Sequence, residues 1–310
     1  MHCTTSSNFA ILCPSQEDGA PRRTCPCFSG IAGATTDVCL LQRRLFVNSV
    51  KRALINCVLF AVTLAANTLG AAGVINGLSQ KEISDRYLTL ITPAPFTFSI
   101  WSVLYALLTL SVLAMLLKSR DAYFQRAAAR ISPLFQLSCL LNTVWIIVFS
   151  YGLIELSALL ILALAVTLTL LCRGLLQVQE NGRWLLPLSF GLYAGWLLIA
   201  AVVNVSAALV KLNRNGFGLP ASAWAAAMLI IAGLLVLAIQ WATRCAPLSL
   251  PAAWAYWGIH QFLRAAEGFG GQYPELEFIT LAGVFALAAG AIVRFYRNQA
   301  SLLPSAPGLA

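Results

Sequence analysis

Long apolar runs separated by short polar segments dominate the pattern of this chain. Each run has few charged residues, and most are long enough to cross a bilayer, which takes about 20 residues of helix. The pattern predicts eight runs, at residues 53–77, 96–117, 132–152, 156–172, 185–210, 222–243, 248–263 and 278–293. The predicted fold is therefore an all-α, polytopic transmembrane helix bundle of about eight spans.

The seventh run is the least regular of the eight. It is short, and it carries His260 and Gln261. Polar side chains in a short apolar run are also typical of a re-entrant or interfacial segment, where protein rather than lipid surrounds the backbone. Eight spans is the prediction, and seven is the alternative.

Composition and charge support a membrane location. The chain is 59% hydrophobic and 10% charged, whereas soluble domains carry roughly 25% charged residues. The net charge of +9 would suggest nucleic-acid binding in a soluble protein. When the segments between the eight spans are assigned to alternate sides of the membrane, however, 15 of the 20 Lys and Arg residues fall on one side and 5 on the other. The positive-inside rule accounts for that bias. We therefore expect the lipid bilayer and not nucleic acid as partner, with both termini cytoplasmic and the plasma membrane as location.

Residues 1–50 lack hydrophobic periodicity and read as a disordered, basic extension. Five of the nine cysteines lie in the first 39 residues, but Cys25-Pro-Cys27 lacks the spacing of a zinc or redox motif, so no metal site is predicted. A cleaved transit peptide, which would place the protein in an organelle membrane, is one alternative for this extension. A start codon assigned too early is the other.

Residues 92–105 combine a rigid loop end with two large rings. Pro93 and Pro95 precede an apolar helix, and proline suits the first helical turn. Trp101 and Tyr105 are four residues apart, so their rings share a helical face. This arrangement suggests the mouth of a site for a flat apolar ligand. The preceding loop, 78–95, is long enough to cover such a mouth, and a plain solvent loop is the alternative.

Two later spans carry aromatic and amide side chains on one face. Asn142 and Trp145 are three residues apart in the third span, and Trp196, Ala200 and Asn204 recur every four residues in the fifth, with Tyr193 three before the Trp. Asparagine in hydrocarbon should face the bundle interior and find a partner. The amides either line a cavity or simply join helices. The predicted ligand-binding residues are Trp101, Tyr105, Asn142, Trp145, Tyr193, Trp196, Ala200 and Asn204.

Small residues also recur at helical spacing. Gly191 and Gly195 form a small-x3-small motif in the fifth span, and Ala282, Ala286 and Gly290 repeat that spacing in the eighth. Such residues allow close helix approach in lipid. They indicate a packed bundle and weakly suggest a homodimer.

These motifs together resemble the TspO/translocator-protein family, the tryptophan-rich sensory proteins, in a longer bacterial-type form. The resemblance rests on Trp101-Ser-Val-Leu-Tyr105 after the proline-ended loop, on Asn142-Thr-Val-Trp145, and on Trp196-x3-Ala200-x3-Asn204. It divides the chain into the extension 1–50, a TspO-like five-helix domain 51–212, three additional spans 213–298, and a tail 299–310.

The resemblance implies a five-helix bundle that often dimerises and binds a porphyrin, sterol or similar molecule under its first loop. Phe149, Ser150, Ser189 and Leu198 depart from the family pattern. The predicted function is sensing or carrying a tetrapyrrole-like ligand, which is bound rather than required as a cofactor. Passive transport of a small apolar solute is the alternative. A porphyrin-degrading enzyme ranks below both, because no catalytic or metal-ligand cluster is apparent in the sequence.

Overall fold

The computed structural model describes residues 28–212 and 218–306, with side chains from Val47 onward. These ranges contain helices and turns but no strand. The helices are α1 (Phe28–Ala71), α2 (Gln80–Asp85), α3 (Ile100–Leu117), α4 (Ala122–Ser150), α5 (Ile154–Leu176), α6 (Leu185–Lys211), α7 (Ala221–Thr243), α8 (Leu250–Arg264) and α9 (Pro274–Arg297). Two 3-10 turns, Pro95–Ser99 and Ala246–Ser249, precede α3 and α8.

The chain divides between Arg43 and Arg44 into two compact units. The first contributes helical residues from Phe28 onward, and the second holds the membrane bundle. Residues 28–50 are helical here, whereas the sequence analysis predicts a disordered extension up to residue 50, and residues 1–27 lie outside the described part. From Val38 the chain has neither Gly nor Pro until Gly70, so nothing interrupts a helix that continues into the first span.

Seven of the described helices are long and apolar enough to cross a membrane. The all-α polytopic bundle is thus confirmed, with seven long helices rather than eight. The predicted span 248–263 is the 15-residue helix α8. Such a helix rises only about 22 Å, which is short of a hydrocarbon core of about 30 Å. Pro247 lies in the 3-10 turn before α8 and Pro251 in the first turn of α8, where proline is favourable.

The segment 246–264 nevertheless connects the two ends of the bundle. At its start the Ala246 amide donates to the Leu302 carbonyl, beyond the end of α9, at 2.8 Å. At its end the Arg264 guanidinium lies 3.6 Å from the Glu277 carboxylate, in the first turn of α9. α8 therefore runs antiparallel to α9. Which end of the bundle faces the cytoplasm stays a prediction.

Glycines on α6 hold the start of this segment in place. A Cβ on Gly195 would overlap the Leu248 carbonyl oxygen, and one on Gly191 would lie 2.5 Å from the Cys245 sulfur. On α9, a Cβ on Gly290 would lie 2.6 Å from a methyl group of Leu237. Close backbone approach is what small residues provide in lipid. Here Gly191, Gly195 and Gly290 provide it within one chain. Ala282 and Ala286 are exposed on α9, and the homodimer stays a prediction.

Polar side chains at one end of the bundle join the turns between helices. Asp121 caps α4 by accepting from the Tyr123 amide at 2.8 Å, and Arg183 donates to its other oxygen at 2.8 Å. Burial tends to raise the pKa of Asp121, but these hydrogen bonds outweigh it, so the pKa lies below its usual range. The ionised carboxylate therefore ties the start of α4 to the α5–α6 turn.

The long segment between α1 and α3 is ordered by local hydrogen bonds. Ser79 and Glu82 form a reciprocal capping box that begins α2. The hydrogen bond from the Ser79 amide lowers the pKa of Glu82 from its usual range. Further along, Thr92 accepts from the Thr89 amide at 3.0 Å. This segment therefore has a defined path, which ends in the 3-10 turn before α3.

Candidate functional site

A cavity of about 80 Å³ lies beneath the segment that joins α1 to α3. Residues of that segment cover it, and α3, α4, α5, α6 and α8 surround it. Its lining is almost entirely apolar, with few polar groups, as in small-molecule sites. The residues that line it are Gln80, Ser84, Tyr87, Pro93, Phe98, Trp101, Trp145, Phe149, Ile154, Ile161, Trp196, Ile199, Ala200, Val203, Asn204, Ala207, Ala255 and Ile259.

Three indoles from three helices line this cavity. Trp101 of α3 meets Trp196 of α6 edge to face, with ring centroids 6.0 Å apart. Trp145 of α4 stacks on Phe149 one turn later, with centroids 5.5 Å apart. Each of these indoles lies on a helical face that the sequence spacing had selected. The structure thus brings the three predicted tryptophans to one cavity.

Two of these indoles have no hydrogen-bond partner. The Nε1 atoms of Trp145 and Trp196 are buried, and neither has an acceptor among the residues that the structure describes. A buried donor without a partner costs roughly 1–3 kcal/mol, which an acceptor atom brought by a ligand would relieve. Two of the residues that line the cavity therefore carry an indole N–H donor that lacks a partner among the described residues.

Asn204 and Ala200 also line the cavity, one turn apart on α6. The Asn204 carbonyl oxygen accepts from the Ser157 hydroxyl of α5 at 3.0 Å. This bond ties α5 to α6 and fixes the orientation of the amide. Both sequence-based interpretations of Asn204 hold, because the side chain joins helices and also lines the cavity.

The other three predicted residues lie behind the lining. Asn142 is fully buried and accepts from Asn67 of α1 at 2.6 Å while donating to the Tyr193 hydroxyl at 3.0 Å. The Tyr193 ring contacts Trp101 edge to face, with centroids 6.5 Å apart. Tyr105 stacks on Trp101 at 5.1 Å. These three residues therefore brace the cavity rather than line it, because Asn142 has its partners in neighbouring helices and both phenol rings pack against Trp101.

The family model described as TSPO-like protein matches residues 53–294, which is most of the chain. The chain belongs to the TSPO-like family. Neither the curated proteins nor the solved structures gave a match. The matched range begins in α1 and ends near the end of α9, so it takes in α7 and α8 as well as the first five long helices.

The sequence did not reveal several residues that line the cavity of this TSPO-like protein. Tyr87 and Pro93 come from the segment above the cavity, and Ile161 comes from α5. The most distant are Ala255 and Ile259 of α8. Apolar residues such as these carry no signal of a site. For the covering segment, the length of the loop 78–95 was the feature that indicated a cover over the site.

Residues that depart from the TspO pattern occupy different surroundings in this TSPO-like protein. Phe149 lines the cavity against Trp145, and the neighbouring Ser150 hydroxyl is buried without a partner. Ser189 instead accepts from Ser111 of α3 at 2.7 Å, away from the cavity. Of the positions named here, only Phe149 lines the cavity, to which it contributes an apolar ring.

The cavity is small in this conformation of the TSPO-like protein. Pockets for drug-sized ligands usually have volumes of roughly 300–1,000 Å³, well above its volume of about 80 Å³. A larger space of about 510 Å³, here called the vestibule, adjoins it on the other side of Ser84, Pro93 and Phe98. The vestibule also has Lys81 and Glu267 in its lining. Moving the shared residues would join the two spaces.

Proposed function

We propose that this TSPO-like membrane protein binds a flat, mostly apolar small molecule of the tetrapyrrole class in the tryptophan-lined cavity, in order to sense or carry it. The observation that carries the proposal is that Trp145 and Trp196, which line a mostly apolar cavity, have buried indole N–H groups with no partner among the described residues. A protein keeps such donors buried at a cost in stability. A ligand that accepts hydrogen bonds from these two N–H groups would remove that cost.

The rings of the lining offer a stacking surface to a planar ligand. Tyr105 stacks on Trp101, and Trp196 meets Trp101 edge to face, so a flat ligand that stacks on one of these two indoles meets the other with its edge. Offset stacking on such rings is worth about 0.5–1.5 kcal/mol beyond area burial. The amide of Asn204, held by Ser157, adds a fixed polar group at the edge of the cavity. Stacking would provide affinity, and the polar groups would select orientation.

A tetrapyrrole is larger than the cavity of about 80 Å³, so the segment that covers the cavity must move to admit it. Tyr87, Pro93 and Phe98 separate the cavity from the segment above it. Displacing them would merge the cavity with the vestibule, whose lining includes Ser84, Pro93 and Phe98 as well. We therefore place ligand entry on this side, between the covering segment and the end of α8.

The shared partition also favours a second function, passive transfer of an apolar solute. A molecule that reaches the vestibule could pass into the cavity without meeting an ion-coupling group, because no Asp, Glu, Lys or Arg lines the cavity. Ion-coupled transport normally needs such a group at bilayer depth. Flux of a fluorescent porphyrin out of proteoliposomes, compared with protein-free liposomes, distinguishes transfer from binding alone.

Co-elution with a porphyrin tests the proposed binding. The protein in lipid nanodiscs is mixed with protoporphyrin IX and passed over a gel-filtration column, and the protein peak is scanned for a Soret band. Empty nanodiscs are the control, because porphyrins partition into lipid. Retention of about one porphyrin per chain above the control supports the proposal, and equal retention by empty nanodiscs contradicts it.

A further inference from the structure

Helix α8 holds the turn that leads into the first cavity tryptophan. The Ala94 amide donates to the Gly258 carbonyl at 3.0 Å, and the Trp254 indole N–H donates to the Thr97 carbonyl at 2.9 Å. The Trp254 ring also meets Phe96 edge to face, with centroids 5.5 Å apart. These contacts bracket the 3-10 turn Pro95–Ser99. The turn is therefore bound to a helix that lies more than 150 residues later in the chain.

Gly258 lets the turn approach the α8 backbone closely. A Cβ at this position would overlap the Thr97 hydroxyl oxygen and would lie 2.9 Å from both its Cβ and its methyl group. Thr97 is fully buried, so it has no free space to move into. Any larger residue at 258 must push the turn away from α8.

α8 itself is fixed on its other sides. The Gln240 amide of α7 donates to both the Ala246 carbonyl and the Ser249 hydroxyl at 2.8 Å, and Ser249 donates to the Leu287 carbonyl of α9 at 2.8 Å. At the far end the His260 Nδ1 lies 3.1 Å from the Glu277 carbonyl oxygen. Because α7 and α9 hold α8, a strained contact at Gly258 moves the turn rather than the helix.

The same part of α8 lines the cavity. Ala255 and Ile259 flank Gly258 in sequence and line the cavity opposite the covering segment. On the turn, Phe98 follows Thr97 directly and Trp101 follows one helical turn later, and both line the cavity too. The contact between Thr97 and Gly258 therefore determines the distance between Phe98 on the turn and Ile259 on α8.

We propose that Gly258 and Trp254 are positioning residues of the ligand site, which fix the turn Pro95–Ser99 on α8 and so determine the width of the cavity and the size of ligand it admits. Their effect on ligand size rests on the proposed function. Their effect on the turn does not, because it follows from the contacts alone. The last helices of the chain are by this account part of the site.

Hydrogen exchange without ligand tests the effect on the turn. In Gly258→Ala, the amides of residues 94–99 should exchange about fivefold faster or more, because local opening no longer breaks a well-formed hydrogen bond. Gly174→Ala is the matched control, since its added Cβ on α5 would make only an ordinary contact, 3.5 Å from an Arg130 carbon. It should leave exchange in residues 94–99 unchanged.

Ligand affinity tests the second half of the proposal. Gly258→Ala should change the Kd for protoporphyrin IX about fivefold or more, since losing one positioned contact has that size, whereas Gly174→Ala should leave the Kd unchanged. Removing the hydroxyl and methyl of Thr97 makes room, so Gly258→Ala/Thr97→Ala should restore part of the wild-type affinity and part of the slow exchange. A general loss of folding would not be reversed by a second truncation.

Trp254→Phe is the alternative variant, to be used if Gly258→Ala does not fold. It keeps a ring against Phe96 and removes only the bond to the Thr97 carbonyl, so the same amides should exchange faster. Unchanged exchange in residues 94–99 in both variants, or in Trp254→Phe alone if Gly258→Ala does not fold, overturns the proposal. If the wild-type protein retains no porphyrin, the proposed function fails, and the exchange result still decides whether α8 positions the turn.

Discussion

The Asn142 amide donates a 3.0 Å hydrogen bond to the Tyr193 hydroxyl and accepts a 2.6 Å bond from Asn67. Three helices, α1, α4 and α6, are therefore joined directly behind the cavity. Tyr193 in turn packs its ring edge to face with Trp101. The polar groups in the bundle thus serve first to hold the helices that carry the indoles.

Breaking this chain of amides should destabilise the bundle cooperatively. We expect Asn142→Ala to lower the free energy of unfolding by about 1–3 kcal/mol, since it leaves Asn67 and Tyr193 buried without partners. Tyr193→Phe should cost less. A double-mutant cycle in detergent should give a coupling energy of about 0.6 kcal/mol, with an upper bound near 1.7. Fully additive effects would show that the two side chains do not interact as described.

Acid should loosen the turn that Asp121 holds. Because hydrogen bonds keep the pKa of Asp121 below its usual range, its contribution to stability is present above the unfolded pKa of about 3.9 and is lost as the pH falls through the lower folded value. Thermal unfolding between pH 6 and pH 3 should therefore show a smaller decline for Asp121→Asn than for the wild type. Asp85→Asn, which affects an exposed pair within α2, is the control. Equal slopes for Asp121→Asn and the wild type would contradict the assignment.

Gly195 should tolerate no side chain, because its missing Cβ makes room for the Leu248 carbonyl. Gly195→Ala is expected to destabilise the protein by about 1–3 kcal/mol, the usual cost of overpacking. Gly174→Ala is the matched control. Its added Cβ would lie 3.5 Å from an Arg130 carbon, an ordinary contact, and the better helix propensity of alanine should make it neutral or stabilising. Thermal unfolding in detergent measures both, and a stable Gly195→Ala would show that the segment 246–249 does not pack against α6 this way.

The spacing of large residues predicted much of the site. Trp145 and Trp196 were selected because each shares a helical face with an amide, and the structure brings both to the cavity. Asn142 shares that face, yet it does not reach the cavity, because a partner on α1 lies closer. Spacing within one helix identifies a face, but it does not show which neighbouring helix the face meets. That depends on packing among all the helices.

The contribution of α8 could not be read from the sequence at all. The spacing between Thr97 and Gly258 follows no repeat, and the glycine has no distinguishing neighbours in the chain. The apolar run of 16 residues matches the 15-residue helix α8 in length, but its pattern does not show which segments α8 contacts. The all-α bundle was predictable because bilayer crossing imposes length and hydropathy on each helix. Close contacts between distant segments leave no such pattern.

Protoporphyrin IX affinity of paired tryptophan variants tests the central claim most directly. Trp145→Phe/Trp196→Phe keeps ring surface in the cavity but removes both unpartnered N–H groups. Trp184→Phe/Trp241→Phe, at two exposed indoles, is matched in composition. In nanodisc titrations we expect the cavity pair to weaken binding about tenfold or more, as the loss of one or two hydrogen bonds predicts, and the exposed pair to bind as the wild type does. Equal affinity of the cavity pair and the wild type would contradict ligand binding in this cavity.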